Sequence, residues 1–137
     1  MKVRGSCHCE AIKFEADIDP GKVSVCHCTD CQKLTGTAFR MTVPAMASSV
    51  AFLSGTPKIY VKTAASGRQR HHGFCGQCGT PLFSVAAGPD PATYGIRVGT
   101  LSQRGKLKPS KQIWLRSALP WLPPLPCQMS FDEEDGD

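Results

Sequence analysis

Short segments in which apolar and polar residues alternate recur along most of the chain. The first, "AIKFEADI" over residues 11–18, has an apolar side chain at every second position. The same period of two occurs over residues 38–45, 58–63, 81–87, 93–100 and 112–117. This period predicts β-strands that bury one face, and turn formers such as "DPGK", "SGTP" and "GPDP" separate the segments. We therefore predict an all-β or β-rich fold.

One segment has the signals of a helix instead. "TDCQKLTG", residues 29–36, offers Thr29 or Asp30 as an N-cap and ends at Gly36. These signals predict one short helical turn directly after a group of cysteines. The chain length suits a single domain, which we expect to span residues 1–126.

The C-terminal part of this domain has a different composition. Between Trp114 and Pro126, tryptophan and leucine side chains alternate with prolines. We interpret this segment as a proline-stiffened strap that packs Trp114 and Trp121 on the domain. "PWLPPLP" is also compatible with a polyproline ligand for an SH3-like domain. The acidic tail, residues 127–137, is expected to be disordered.

The charge is unevenly distributed. The chain carries 16 basic and 11 acidic side chains, and five of the acidic ones lie in "DEEDGD" at the C-terminus. A basic body suits an anionic small molecule or a phosphate backbone. The acidic tail would repel phosphate, and no arginine- or lysine-rich arm is present, so a nucleic-acid partner is not expected. Without a signal peptide or an apolar run that could span a bilayer, a cytoplasmic protein with no membrane partner is expected.

The spacing of the cysteines indicates metal binding. Of the eight cysteines, seven form three clusters, which are Cys7 and Cys9, then Cys26, Cys28 and Cys31, then Cys75 and Cys78. Cytosolic thiols stay reduced, and C-x-C and C-x-x-C spacings let thiolates chelate one ion. The sequence therefore predicts zinc sites.

The number of ligands suggests a division into two sites. Cys7, Cys9, Cys75 and Cys78 suffice for a closed structural site, which leaves only three thiolates at Cys26, Cys28 and Cys31. Three protein ligands and one exchangeable position are typical of a catalytic zinc. Cys127 and one of His71 or His72 stay open as further ligands. His8 and His27, between paired cysteines, are expected to point away from the metal.

The motifs "GSCHCEAIKFE", "CHCTDCQKLTGTAF", "FCGQCGTPLF", "VGTL" and "IWLRSALPW" together resemble the glutathione-dependent formaldehyde-activating enzyme family, which includes centromere protein V-like domains. The resemblance implies a β-tent fold of small antiparallel sheets and two zinc ions. It implies that the four-cysteine site is structural and that the Cys26, Cys28 and Cys31 site is catalytic. Many relatives have a histidine where this chain has Gln112, and an aspartate where it has Ser102.

Two functional hypotheses follow. The first is a carbon–sulfur lyase that forms or cleaves a thiol adduct such as S-(hydroxymethyl)glutathione, with Lys33, Arg68 or Arg70 meeting the substrate carboxylates. The second is a non-catalytic zinc module that recognises an anionic partner through its basic body. A redox role for the C-x-x-C pairs is a weaker alternative, because no thioredoxin-like βαβ pattern surrounds them.

Overall fold

Eleven strands and one α-helix make up the fold in the computed structural model, which describes residues 1–134. The helix is α1, Thr29–Thr35. The strands are β1 (Lys2–Ser6), β2 (Lys13–Asp17), β3 (Ser24–Cys26), β4 (Arg40–Met46), β5 (Ala51–Ser54), β6 (Lys58–Thr63), β7 (Gln69–Phe74), β8 (Pro81–Ala86), β9 (Thr93–Arg97), β10 (Lys111–Ile113) and β11 (Met129–Ser130).

The strands form two sheets. A three-stranded antiparallel sheet has the order β1-β2-β5, and an eight-stranded sheet has the order β11-β10-β3-β4-β9-β8-β7-β6. The prediction of a β-rich fold with one short helix is confirmed. The larger sheet is mixed, however, because β10 runs parallel to both β3 and β11. The long connection from β9 brings the chain back to that edge in the same direction as β3.

The hydrophobic core lies between one face of each sheet. β2 contributes Phe14 and Ala16, while Val43 of β4 and Ile96 of β9 pack toward them. Phe14 and Ala16 alternate with the polar residues Lys13, Glu15 and Asp17, as the period of two predicts. The opposite face of the larger sheet carries Cys26, Arg40 and Arg97.

Helix α1 begins one residue earlier than a Thr29 N-cap predicts and two residues earlier than an Asp30 N-cap predicts. Its N-cap is Cys28, whose sulfur accepts a hydrogen bond from the Cys31 amide. Gly36 ends the helix in the left-handed conformation at φ 68°, as expected. An ion pair of 3.0 Å between Asp30 and Lys62 ties the helix to β6. In the part of the chain that the structure describes, no helix has the length and apolar character needed to span a membrane.

The C-terminal segment differs from the expected disorder over residues 127–134. Met129–Ser130 pairs with β10, and the backbone amide of Trp114 donates to the Glu133 carbonyl at 3.0 Å. Arg116 forms a 2.9 Å ion pair with Glu133. Glu133 is therefore fixed by a backbone hydrogen bond and by an ion pair with Arg116, and composition alone does not predict either contact. The rest of the expected disordered tail, residues 135–137, lies outside the described residues.

The proline-rich strap packs only one of its two tryptophans. Trp114 is partly buried, whereas Trp121 is 70% exposed. The expectation that both tryptophans pack on the domain is therefore wrong for Trp121. The prolines on both sides of Trp121 keep the backbone from joining the sheet, so its side chain has no strand to direct it inward.

Two glycines lie under aromatic rings of neighbouring strands. A Cβ at Gly73 would come 2.2 Å from the Phe83 ring, and one at Gly5 would come 2.3 Å from the Phe14 ring. We expect Gly73→Ala to lower the free energy of unfolding by ~1–3 kcal/mol through overpacking. Gly105→Ala is the matched control, because nothing lies within 4 Å of its Cβ position. Urea unfolding of the two variants measures the difference, and equal stabilities would contradict this packing.

Candidate functional site

Four cysteine sulfurs from distant parts of the chain converge on one point. Cys7 and Cys9 follow β1, Cys75 and Cys78 follow β7, and their four sulfurs lie within 4.8 Å of one another. The sulfurs of Cys7 and Cys9 are 3.6 Å apart, and those of Cys9 and Cys75 are 3.8 Å apart. Thiolates at ~2.3 Å from one tetrahedral ion would be ~3.8 Å apart. This group, the closed cluster, could therefore hold a metal ion and is compatible with zinc.

Backbone amides point at the sulfurs of the closed cluster. The Ile12 amide donates to the Cys7 sulfur at 3.3 Å. The Gln77 and Cys78 amides both donate to the Cys75 sulfur at 3.4 Å. Such bonds favour the thiolate over the thiol. The turn that directs them is completed by the glycine at position 79, which adopts φ 82°.

Thr80 joins the two halves of the closed cluster. Its hydroxyl lies 3.2 Å from the Cys78 sulfur and accepts the His8 amide at 3.1 Å. The hydroxyl hydrogen bond and nearby backbone amides lower the pKa of Cys78 to about 5. Part of this cluster is thus ready to lose protons near neutral pH, as metal binding requires.

The second group, the open cluster, contains three sulfurs. Cys26 ends β3, Cys28 caps α1, and Cys31 lies in the first turn of that helix. Their sulfurs lie within 4.8 Å of one another, and no fourth histidine, cysteine or acidic residue from residues 1–134 joins them. The open cluster could also hold a metal ion, with one fewer protein ligand than the closed cluster.

Hydrogen bonds within the open cluster shift the pKa values of Cys26 and Cys28 in opposite directions. The thiols of Cys26 and Cys31, together with the Cys31 amide, hold the pKa of Cys28 well below its usual range. The pKa of Cys26 is raised because Cys28 and Cys31 compete with it for the same protons. Cys28 is therefore the thiolate most readily formed in this group.

Gln112 and Gln32 form hydrogen bonds with His27, which lies between Cys26 and Cys28 of the open cluster. His27 is 1% exposed, and its Nε2 lies 3.0 Å from Gln112 Oε1. Since that oxygen can only accept, Nε2 carries the proton, and the buried Nδ1 has no partner among the described residues. Gln32 Nε2 donates to the His27 carbonyl at 2.8 Å and to the Ser117 carbonyl at 3.0 Å. These contacts position the loop that carries Cys26 and Cys28.

Comparisons with known proteins show the family and the fold of this chain. The family model described as glutathione-dependent formaldehyde-activating enzyme matches residues 2–117. This chain belongs to that family. One similar solved structure is the crystal structure of a Rhodobacter sphaeroides protein, a structural genomics target, with a TM-score of 0.57 and 22% identity. The match covers 72% of this chain and 87% of that one, and it shows the fold. A search among curated proteins gives no match.

The other candidate ligands of this formaldehyde-activating family member lie apart from both clusters. Cys127 belongs to neither group, and its pKa is raised by desolvation. No histidine contributes to either group within residues 1–134. Ser102, at the second departure from the family pattern, donates its amide to the Arg4 carbonyl at 2.8 Å. Gln112, at the first departure, is 4% exposed and contacts His27.

A cationic group beside the open cluster was not predicted from the sequence. Arg97 is 8% exposed, its Nη1 donates to Thr42 Oγ1 at 2.8 Å, and its Nη2 lies 3.4 Å from His72 Nδ1. Burial and the charge of Arg40 lower the pKa of Arg97 to about 9, while the thiols of Cys31 and Cys26 raise it. The alternation in "AFRMTVPA" and "TYGIRVGT" already placed both arginines on polar faces. It did not show that these faces meet.

Lys33 and Arg68, which we expected to meet substrate carboxylates, are exposed. Arg70 is also exposed by surface area, but its Nη2 donates to Ser84 Oγ at 3.1 Å, and desolvation lowers its pKa. A cavity of about 680 Å³ is instead lined by Arg40 and Arg97. Two of the arginines that line it thus come from β4 and β9, and a third is Arg104. No cysteine of the open cluster lines this cavity, but Arg40 pairs directly with Cys26.

His72 offers a test of this environment. Burial, followed by the charges of Arg97, Arg40, Lys62 and Arg70, lowers its pKa to about 4. The unfolded chain then binds more protons between pH 4 and ~6.5, so the free energy of unfolding falls as the pH drops through that window. We expect an NMR titration, assigned with His72→Gln and with His8→Gln as the exposed control, to give a His72 pKa near 4. A His72 pKa near 6.5 would contradict the described cationic surroundings.

Proposed function

We propose that the protein is a zinc-dependent enzyme of the carbon–sulfur lyase type that acts on a thiol adduct such as S-(hydroxymethyl)glutathione. The proposal is carried by one observation, the difference between the two clusters. Four sulfurs converge in one and only three in the other, within the part of the chain that the structure describes. Family membership supports a glutathione-like substrate and formaldehyde chemistry.

The closed cluster would hold a structural zinc, and the open cluster would hold a catalytic one. A zinc ion bound by Cys26, Cys28 and Cys31 would supply a positive charge that lowers the pKa of a thiol beside it and polarises an aldehyde oxygen. The three thiolates donate negative charge, which weakens the Lewis acidity of the site. The donor set therefore favours positioning and ionising a thiol over generating hydroxide.

The reaction adds a thiol across a carbonyl group. A bond forms between the glutathione sulfur and the formaldehyde carbon, the carbonyl π bond breaks, and its oxygen receives the proton that the thiol loses. The reverse reaction cleaves the carbon–sulfur bond and returns that proton to sulfur. No oxidant or reductant is needed, so the open cluster would only have to bring sulfur and carbonyl together and stabilise the charge that develops.

The protein's own residues would prepare the open cluster for this chemistry. The Cys31 amide donates to the Cys28 sulfur at 3.3 Å and stabilises it as a ligand. Gln32 holds the preceding loop through two carbonyls, at 2.8 Å and 3.0 Å. The cysteines also require a reducing environment, since all eight are free, and this supports a cytoplasmic location.

Two-dimensional exchange NMR with formaldehyde and glutathione tests the proposed reaction. We expect the zinc-loaded protein to accelerate the interconversion with S-(hydroxymethyl)glutathione above the uncatalysed background. Cys28→Ser should abolish the acceleration and remove about one of the two zinc ions expected from the two clusters. Cys127→Ser is the matched control, since its thiol lies in neither cluster, and it should keep both properties.

Zinc content distinguishes loss of fold from loss of chemistry. A Cys28→Ser variant that retains about one zinc has kept its closed cluster and is a valid test. Exchange no faster than background with the wild-type protein would contradict the glutathione reaction. Full exchange by a Cys28→Ser variant with one zinc would contradict the catalytic role of the open cluster.

A further inference from the structure

Two arginines lie on the same face of the large sheet as Cys26 of the open cluster. Cys26 pairs directly with Arg40 across β3 and β4, and Thr42 pairs with Arg97 across β4 and β9. Directly paired residues project from the same face, as do residues two positions apart on one strand. Cys26, Arg40 and Arg97 therefore share one polar face.

Neither arginine forms an ion pair with a carboxylate among residues 1–134. Both are 8% exposed, and the Nε of Arg40 is buried without a hydrogen-bond partner. The described partners of Arg97 are uncharged, namely the Thr42 hydroxyl and the ring of His72. Buried cations are costly unless they are paired, so this arrangement calls for an anion.

The thiolates of the open cluster supply only part of the negative charge that would balance the two arginines. With zinc bound, three thiolates and one dication carry a net charge of about −1, whereas the two arginines carry about +2. Arg70 lies close enough to lower the pKa of Arg97, and it adds positive charge that Glu134 partly offsets. A positive excess therefore remains beside the open cluster, and it favours an anionic ligand over a neutral one.

The arginines are accessible to a small molecule. Arg40 and Arg97 both line the cavity of about 680 Å³, together with the charged side chains of Glu10 and Arg104 and with hydroxyl-bearing side chains such as Thr37 and Thr100. Small-molecule sites typically occupy ~300–1,000 Å³. No cysteine of the open cluster lines this cavity, so its link to that cluster is Arg40, which pairs directly with Cys26.

We propose that Arg40 and Arg97 bind the carboxylate of a small thiol substrate whose sulfur lies at the open cluster. A guanidinium group matches a carboxylate through two parallel hydrogen bonds, which makes arginine selective for this group. The inference rests on the proposed function, since it names the substrate class of the same site. It assigns the role first expected of Lys33, Arg68 or Arg70 to two buried arginines instead.

Calorimetric titration of the zinc-loaded full chain tests the inference with an isosteric pair of ligands. We expect 3-mercaptopropionate to bind at least ~10-fold more tightly than 3-mercaptopropionamide, as the loss of a charged hydrogen bond predicts. Arg97→Gln or Arg40→Gln should reduce this preference to about twofold or less. Arg97→Lys should retain part of it, because the charge remains and the forked geometry is lost.

Arg68→Gln is the matched control, since it removes the same charge from an exposed position. Equal binding of acid and amide by the wild-type protein would overturn the inference. An equal loss of preference in Arg68→Gln and Arg97→Gln would also overturn it, because a general charge effect would then suffice.

A thiol-free acid separates this inference from the proposed function. Propionate should bind more weakly than 3-mercaptopropionate but with the same dependence on Arg97. If 3-mercaptopropionamide does not bind and the affinity for propionate still falls in Arg97→Gln, a thiol site at the open cluster is contradicted and the carboxylate site is supported. If the amide binds as tightly as the acid, the carboxylate site fails and the thiol site stands.

His72 provides a readout that needs no arginine variant. Its ring faces Tyr60 and lies near Arg97, Arg40, Lys62 and Arg70, and its pKa in the free protein is lowered to about 4. A carboxylate bound to the arginines would offset the charges that lower this pKa. We expect saturating 3-mercaptopropionate to raise the His72 pKa measured by NMR, and an unchanged pKa at saturation would contradict the assignment.

Discussion

Thiolates packed within bonding distance of a common point repel one another, and a shared cation turns that repulsion into attraction. In the closed cluster, the sulfurs of Cys9 and Cys75 lie 3.8 Å apart although 66 positions separate the two residues in the chain. Three further sulfurs lie together at the start of α1. The need to bring these sulfurs together constrains the loops after β1, β3 and β7, and the strands on either side of those loops are positioned accordingly.

The two clusters differ in how they are enclosed, and this difference bears on function. The closed cluster contains four cysteines, and its sulfurs accept hydrogen bonds from the backbone amides of Ile12, Gln77 and Cys78. The open cluster lies on the polar face of the large sheet, next to buried arginines that have no carboxylate partner among residues 1–134. A closed donor set suits a structural role, and an open one beside excess positive charge suits an anionic thiol.

The cysteine groups could be predicted from sequence because C-x-C and C-x-x-C spacings act locally. The short helix and most alternating strands could be predicted for the same reason, since periodicity and capping depend on neighbouring residues. The arginine pair could not, because Arg40 and Arg97 meet only through the pairing of β4 with β9, 57 positions apart in the chain. The docked C-terminal segment was missed because Trp114 and Arg116 hold it mainly through backbone contacts and one ion pair.

X-ray absorption at the zinc edge, with and without a carboxylate-bearing thiol, tests the central claim most directly. One four-sulfur and one three-sulfur site, as the two clusters offer, predict an average of about 3.5 sulfur neighbours per zinc. Saturation with 3-mercaptopropionate should raise that average to about four, as the substrate sulfur completes the open site. An average of four sulfurs before the thiol is added, or no change on its addition, would contradict the account.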